Sequence, residues 1–110
     1  MSELPKLFRQ VQNEYPEVWQ AYENLGSAAA QSGPLDQKVR ELIKLGIAAA
    51  SASESAVHSH THRALEANAT PEEIEHAILL GITTIGFPRM MAALSWAKQA
   101  MKKHKEKTDG

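Results

Sequence analysis

The feature that most constrains this chain is the spacing of its apolar residues, which recur every three or four positions along almost its whole length. From Asp36, "DQKVRELIKLGIAAA" places Val39, Leu42, Ile43, Gly46, Ile47 and Ala50 on one stripe, the pattern of a buried helix face. The "QSGP" at 31–34 before it reads as a loop. In "SASE" at 51–54, Ser51 and Glu54 have the form of a capping box. A second box, "TPEE" at 70–73, offers Thr70 as cap, Pro71 at the first helical position and Glu73 reaching back. The helix it starts turns Ile74, Ala77, Ile78, Gly81, Ile82 and Ile85 inward until "GFP" at 86–88 interrupts it. A last helix runs from Pro88 towards Lys102, with Met91, Leu94, Ala97 or Lys98, and Met101 at helical spacing. At the front, a short helix breaks before Pro16, and a longer one carries Val18, Trp19, Tyr22 and Leu25. Only "GITTIGF" at 81–87 is open to a strand reading. The expectation is an all-α fold of five to six helices.

With 110 residues the chain fits one domain, expected over 1–102, with 103–110 as a flexible, solvated tail. Twelve basic residues against 13 acidic ones create no field that would attract nucleic acid or an anionic membrane. No apolar run approaches the ~18 residues of a membrane span. Met1 leads into the polar "SELPK", so a cytoplasmic protein is expected. The chain has no cysteine, which removes disulfides, thiolate nucleophiles and cysteine-ligated metals. Two segments, "GIAAASA" and "AILLGITTIG", are apolar nearly all round, and Gly46, Ala48, Ala49, Gly81 and Gly86 suit close helix approach. A chain this small hides only about 60–70% of its unfolded surface, so a homo-oligomer is expected. A monomer with an alanine-rich interior is the alternative.

Three histidines stand out in "SASESAVHSHTH" at 51–62. A helical residue turns about 100°, so His58 and His62 share a face and His60 points nearly opposite. An i, i+4 histidine pair can hold zinc, but the familiar helical motif adds a glutamate between the two and a third ligand beyond. Here Ser59, His60 and Thr61 lie between them. His58 and His62 therefore read as a solvated edge or subunit contact, with a metal pair as the alternative and no metal or cofactor expected. His60, flanked on its helix by Ala56, Val57, Ala64 and Leu65, belongs near the core or an interface. There it is either a core histidine bonded to a carbonyl or a functional group.

The chain carries Leu35-Asp36, Arg40-Glu41-Leu42, "GIAAASA", His60-Thr61, "ALEANATPEEI" and "GITTIGFPR". In these motifs residues 35–88 resemble the carboxymuconolactone decarboxylase family, whose other branch is the AhpD-like alkylhydroperoxidases. The motifs cover about half the chain and need no gap between Glu41 and Glu73. The family's two cysteines fall on Ser53 and Ala56, so both sulfurs are gone. Dithiol peroxidase chemistry, in which one thiolate attacks peroxide and the other resolves the sulfenic acid, is thereby rejected.

The decarboxylase branch implies a cofactor-free reaction on a small carboxylated or lactone-type molecule. Such chemistry needs a group that titrates near neutrality, a cation for the substrate carboxylates and a sheltered pocket. The resemblance assigns His60 as acid, since imidazole titrates near neutrality, with Glu41 orienting it or sharing its proton. Arg40 and Arg89 are the candidates for binding substrate, through a planar fork or beside a helix start. Each has a plainer role open to it: Arg40 and Glu41 as surface ion pairs, and serines such as Ser53 and Ser55 as caps. Two classes follow, an acid–base enzyme or a non-catalytic relative that binds a ligand or partner. The resemblance also implies a homotrimer or hexamer.

Overall fold

A computed structural model describes residues 3–109, with side chains from Lys6 to Thr108. Its elements are α1 (Glu3–Glu14), α2 (Pro16–Ala30), α3 (Gln37–Ala50), α4 (Glu54–Glu66), α5 (Pro71–Leu79), α6 (Ile82–Ile85) and α7 (Phe87–Asp109). α6 is a single turn, so the expected all-α class holds, with six full helices and no strand among the described residues. The ambiguous stretch around α6 is helical. Residues 1–35 and 36–110 form two compact units.

In the first unit Pro16 opens α2, where its missing N–H costs nothing. Phe8 and Trp19 rings lie 6.3 Å apart and Trp19 and Tyr22 rings 5.7 Å apart. Val18, Tyr22 and Leu25 are exposed.

The second unit carries the core: Leu45, Ala48 and Ala49 of α3, Val57 and Ala64 of α4, Ile74 and Ile78 of α5, and Met90, Ala93 and Ala97 of α7. Burying a side chain such as Leu45 or Ile74 contributes about 1.5–3 kcal/mol. The many alanines let α4 and α7 pack closely. Asp36 caps α3 by accepting from the Val39 amide. Thr70 and Glu73 form the expected reciprocal box at α5. Glu73 also meets Lys38 at 3.0 Å, tying α3 to α5.

Five local expectations shift. The buried face of α3 is Glu41, Leu45, Ala48 and Ala49, while Val39, Ile43 and Ile47 are 36%, 47% and 61% exposed. This helix has two apolar stripes, and spacing alone does not rank them. A side chain at Gly46 would meet open space, so that glycine serves no close approach. On α7 the buried seam is Met90, Ala93, Ala97 and Ala100; of the expected Met91, Leu94, Ala97 or Lys98, and Met101 line, Ala97 lies on it and the others sit one residue off.

At 51–54 no box forms: Ser51 ends α3, bonding back to the Ile47 carbonyl, and Ser53 caps α4 by accepting from the Ala56 amide. Finally, α7 continues past Lys102 to Asp109. Residues 102–107, "KKHKEK", are mostly good helix formers, and His104 is half-buried against α4; Gly110 lies outside the described residues.

Three turns hold left-handed residues, among them Asn68 at φ 72° between α4 and α5. Gly86 has φ 89° between α6 and α7, as glycine allows. Ala52, at φ 54° in the three-residue turn joining α3 to α4, takes that conformation with a Cβ.

Candidate functional site

The short turn at 51–53 folds α4 back onto α3 and brings one face of each helix together. On that face Glu41 Oε1 and His60 Nδ1 stand 2.9 Å apart, a charge-assisted distance. Glu41 is buried, at 8% exposure, because it occupies the core face of α3 beside Leu45. The His60 side chain is 21% exposed. It therefore bonds a carboxylate where a core histidine would bond a main-chain carbonyl. No other hydrogen bond reaches His60 among the described residues, so Nε2 is available to a ligand.

Ala56 lies one turn before His60 on the same side of α4, and Ser53 one turn earlier at the cap. Ser53 Oγ accepts from the Ala56 amide at 3.2 Å and lies 3.5 Å from Ser55 Oγ. This stripe of α4 carries a capping hydroxyl and a methyl group, and no sulfur.

The two arginines separate. Arg40 sits beside Glu41 on α3 and is half-buried. Arg89 lies in the first turn of α7, where its Nη1 donates to the Ala50 carbonyl at 3.0 Å. That carbonyl is the last of α3, so the guanidinium satisfies an orphaned acceptor at the negative end of the helix dipole. Nine residues separate Ala50 from Glu41, roughly 13 Å along the axis.

The other histidines differ from expectation. His58 is 2% exposed, not on a solvated edge, and neither ring nitrogen has a hydrogen-bond partner. Its nearest acid is Glu54, at 3.9 Å. On α4 it stands next to the core line of Val57 and Thr61. His62 does not pair with His58: its Nδ1 lies 3.2 Å from Nδ1 of His104, on α7. Burial, then His104 and His58, hold the His62 ring below its usual 6.5. His104 escaped the sequence reading, yet the signal was there, since it follows Ala97 and Ala100 by seven and four positions on the buried seam.

The all-α fold, with its α3–α4 hairpin holding a buried Glu–His pair, is of the carboxymuconolactone decarboxylase kind. Residues 16–99 match the Carboxymuconolactone decarboxylase family. The chain belongs to this family.

It is 41% identical over 63 residues to an uncharacterized protein of Haemophilus influenzae, a match covering 57% of this chain and 56% of that one. An uncharacterized protein of Methanocaldococcus jannaschii is 31% identical over 84 residues, covering 76% and 78% of the two chains. Among solved structures, that of an apo carboxymuconolactone decarboxylase family protein from Legionella pneumophila superposes with a TM-score of 0.84 at 25% identity, covering 94% of this chain and 91% of that one.

Proposed function

We propose that this protein is a decarboxylase-like lyase that works by cofactor-independent acid–base catalysis on a small carboxylated or lactone-type substrate. The observation that carries this reading is the 2.9 Å contact of a buried Glu41 with His60 Nδ1, which leaves Nε2 unengaged. With Nδ1–H donated to the carboxylate, the ring is held in one orientation, and Glu41 stabilises the charge it gains on protonation. As the substrate's C–CO₂⁻ bond breaks, its electron pair moves into the conjugated carbonyl system and carbon dioxide departs. The proton on Nε2 of the charged ring then passes to carbon, and solvent reprotonates the imidazole.

Arg40, next to Glu41, is the cation proposed to hold a substrate carboxylate. Arg89 already serves the end of α3. Reduction of peroxide by a dithiol has no place here, since Ser53 and Ala56 occupy the paired positions and the chain has no cysteine. The same reading takes the protein to be cytoplasmic and a homotrimer or hexamer. The exposed stripe of Val39, Ile43 and Ile47 supports assembly. That stripe also favours the second reading, an oligomeric scaffold without catalysis. No helix among the described residues is long and apolar enough to cross a membrane.

A panel of 4-carboxymuconolactone and related acids, incubated with the wild-type chain and with His60→Ala, tests the proposal. Turnover that falls about 10²–10⁴-fold in the variant is expected. Absence of turnover across the panel, or equal rates in both proteins, would overturn it.

A further inference from the structure

The α4–α7 contact holds a second polar cluster, on the side of α4 away from His60, that the proposed chemistry does not use. His62 and His104 aim their Nδ1 atoms at one another across 3.2 Å, with ring centres 5.3 Å apart and planes tilted by 40°. Two imidazoles at this distance admit two explanations. Either they share one proton in a hydrogen bond, or their lone pairs converge on a common cation. Two metal–nitrogen bonds of about 2.0–2.1 Å at angles between square and tetrahedral set their nitrogens roughly 2.9–3.4 Å apart, so the gap matches neighbouring ligands of one ion.

A second observation points to the cation. One turn before His62 on the same face of α4 lies His58, buried and with both nitrogens unpartnered. Leaving such atoms unsatisfied in the interior costs about 1–3 kcal/mol, and a native structure that does so has a use for them. The spacing of 58 and 62 is the helical i, i+4 spacing of paired metal-ligating histidines, and the sequence lacked both the glutamate of the catalytic motif and a third ligand. α7 supplies one in His104.

We propose that His58, His62 and His104 form a binding site for one divalent transition-metal ion of the zinc type, anchored on His62 and His104 and completed by His58. No three such groups converge on a point among the described residues. His58 joins by a side-chain rotation that gives up its 3.9 Å contact with Glu54 but no hydrogen bond. Neutral imidazole is the ligating form, and burial with neighbouring positive charge keeps His62 neutral to lower pH than usual. Glu66, one turn beyond His62, is the acid nearest in sequence that offsets an ion's charge, and Lys107 opposes it. An ion held here would clamp the end of α7 to α4.

The test uses the full chain purified without an affinity tag and titrated with zinc chloride by calorimetry. One ion per chain is expected. His104→Gln should weaken binding at least about tenfold, and His58→Gln likewise, while His76→Gln, on the exposed side of α5, should leave it unchanged. His104 is half-buried near the end of α7, so its replacement leaves the core intact and remains decisive if His58→Gln fails to fold. Absence of a stoichiometric zinc site, or unchanged zinc affinity in His104→Gln, would overturn the proposal.

Discussion

Glu41 and His60, 19 residues apart in sequence, meet at 2.9 Å between Oε1 and Nδ1 across the α3–α4 hairpin. A carboxylate on the core face of one helix is thus satisfied by an imidazole on the next, and the ring's other nitrogen is left to face whatever enters.

The turn between the two helices is strained at Ala52, whose φ of 54° favours glycine. A left-handed alanine costs about 1–2 kcal/mol, part of which glycine returns through its looser unfolded chain. Ala52→Gly should therefore raise the denaturation midpoint, by a gain of about 0.5–1 kcal/mol. A lower midpoint in urea would show that the turn is not under strain.

Thr70 caps α5 and its hydroxyl accepts from the Glu73 amide at 3.1 Å. Thr70→Ala should cost about 1 kcal/mol, read from chemical denaturation with an unchanged slope. The main-chain N–H of Thr70, ahead of Lys38, also holds the Glu73 carboxyl below its usual 4.5. A depressed carboxylate adds stability above its unfolded value, and that stability drains away as pH falls from 4.5 through the lower folded value. Glu73→Gln should flatten this acid limb.

His62 titrates in the same sense for a different reason. Burial, with His104 next, lowers its folded value below 6.5, so the unfolded chain binds the extra proton first. Stability should decline as pH drops from 6.5 and level off below the folded value. In His62→Gln, melting temperatures measured across that window should lose this part of the slope.

Much of this architecture was legible in the residues. The cap at Thr70, the helix order and the Glu41–His60 pairing all follow from local chemistry or from the family resemblance, and local chemistry does not depend on the rest of the fold. The face that α3 buries was not legible, because Leu45, Ala48 and Ala49 compete with Val39, Ile43 and Ile47 at helical spacing. Tertiary packing chose between them by seating Glu41 opposite His60. His58 misled for a related reason: an imidazole suggests water, but its place on α4 next to Val57 and Thr61 is buried. Likewise the basic run at 102–107 suggested a loose tail, although the buried alanine seam of α7 leads straight into His104.

If the exposed stripe of α3 is a contact between copies, Ile43→Lys should convert the assembly to monomers in sedimentation or light-scattering measurements. The helix content should stay the same. A wild-type chain that sediments as a monomer would remove the stripe from that role.

The most direct measurement of the central claim is a double-mutant cycle on turnover, comparing Glu41→Gln, His60→Ala and the two combined on a substrate that the wild-type chain converts. Groups that move one proton as a unit lose rate non-additively, so the combined variant should be no slower than His60→Ala alone. If the two losses simply multiply, Glu41 and His60 act independently and the proposed dyad is contradicted.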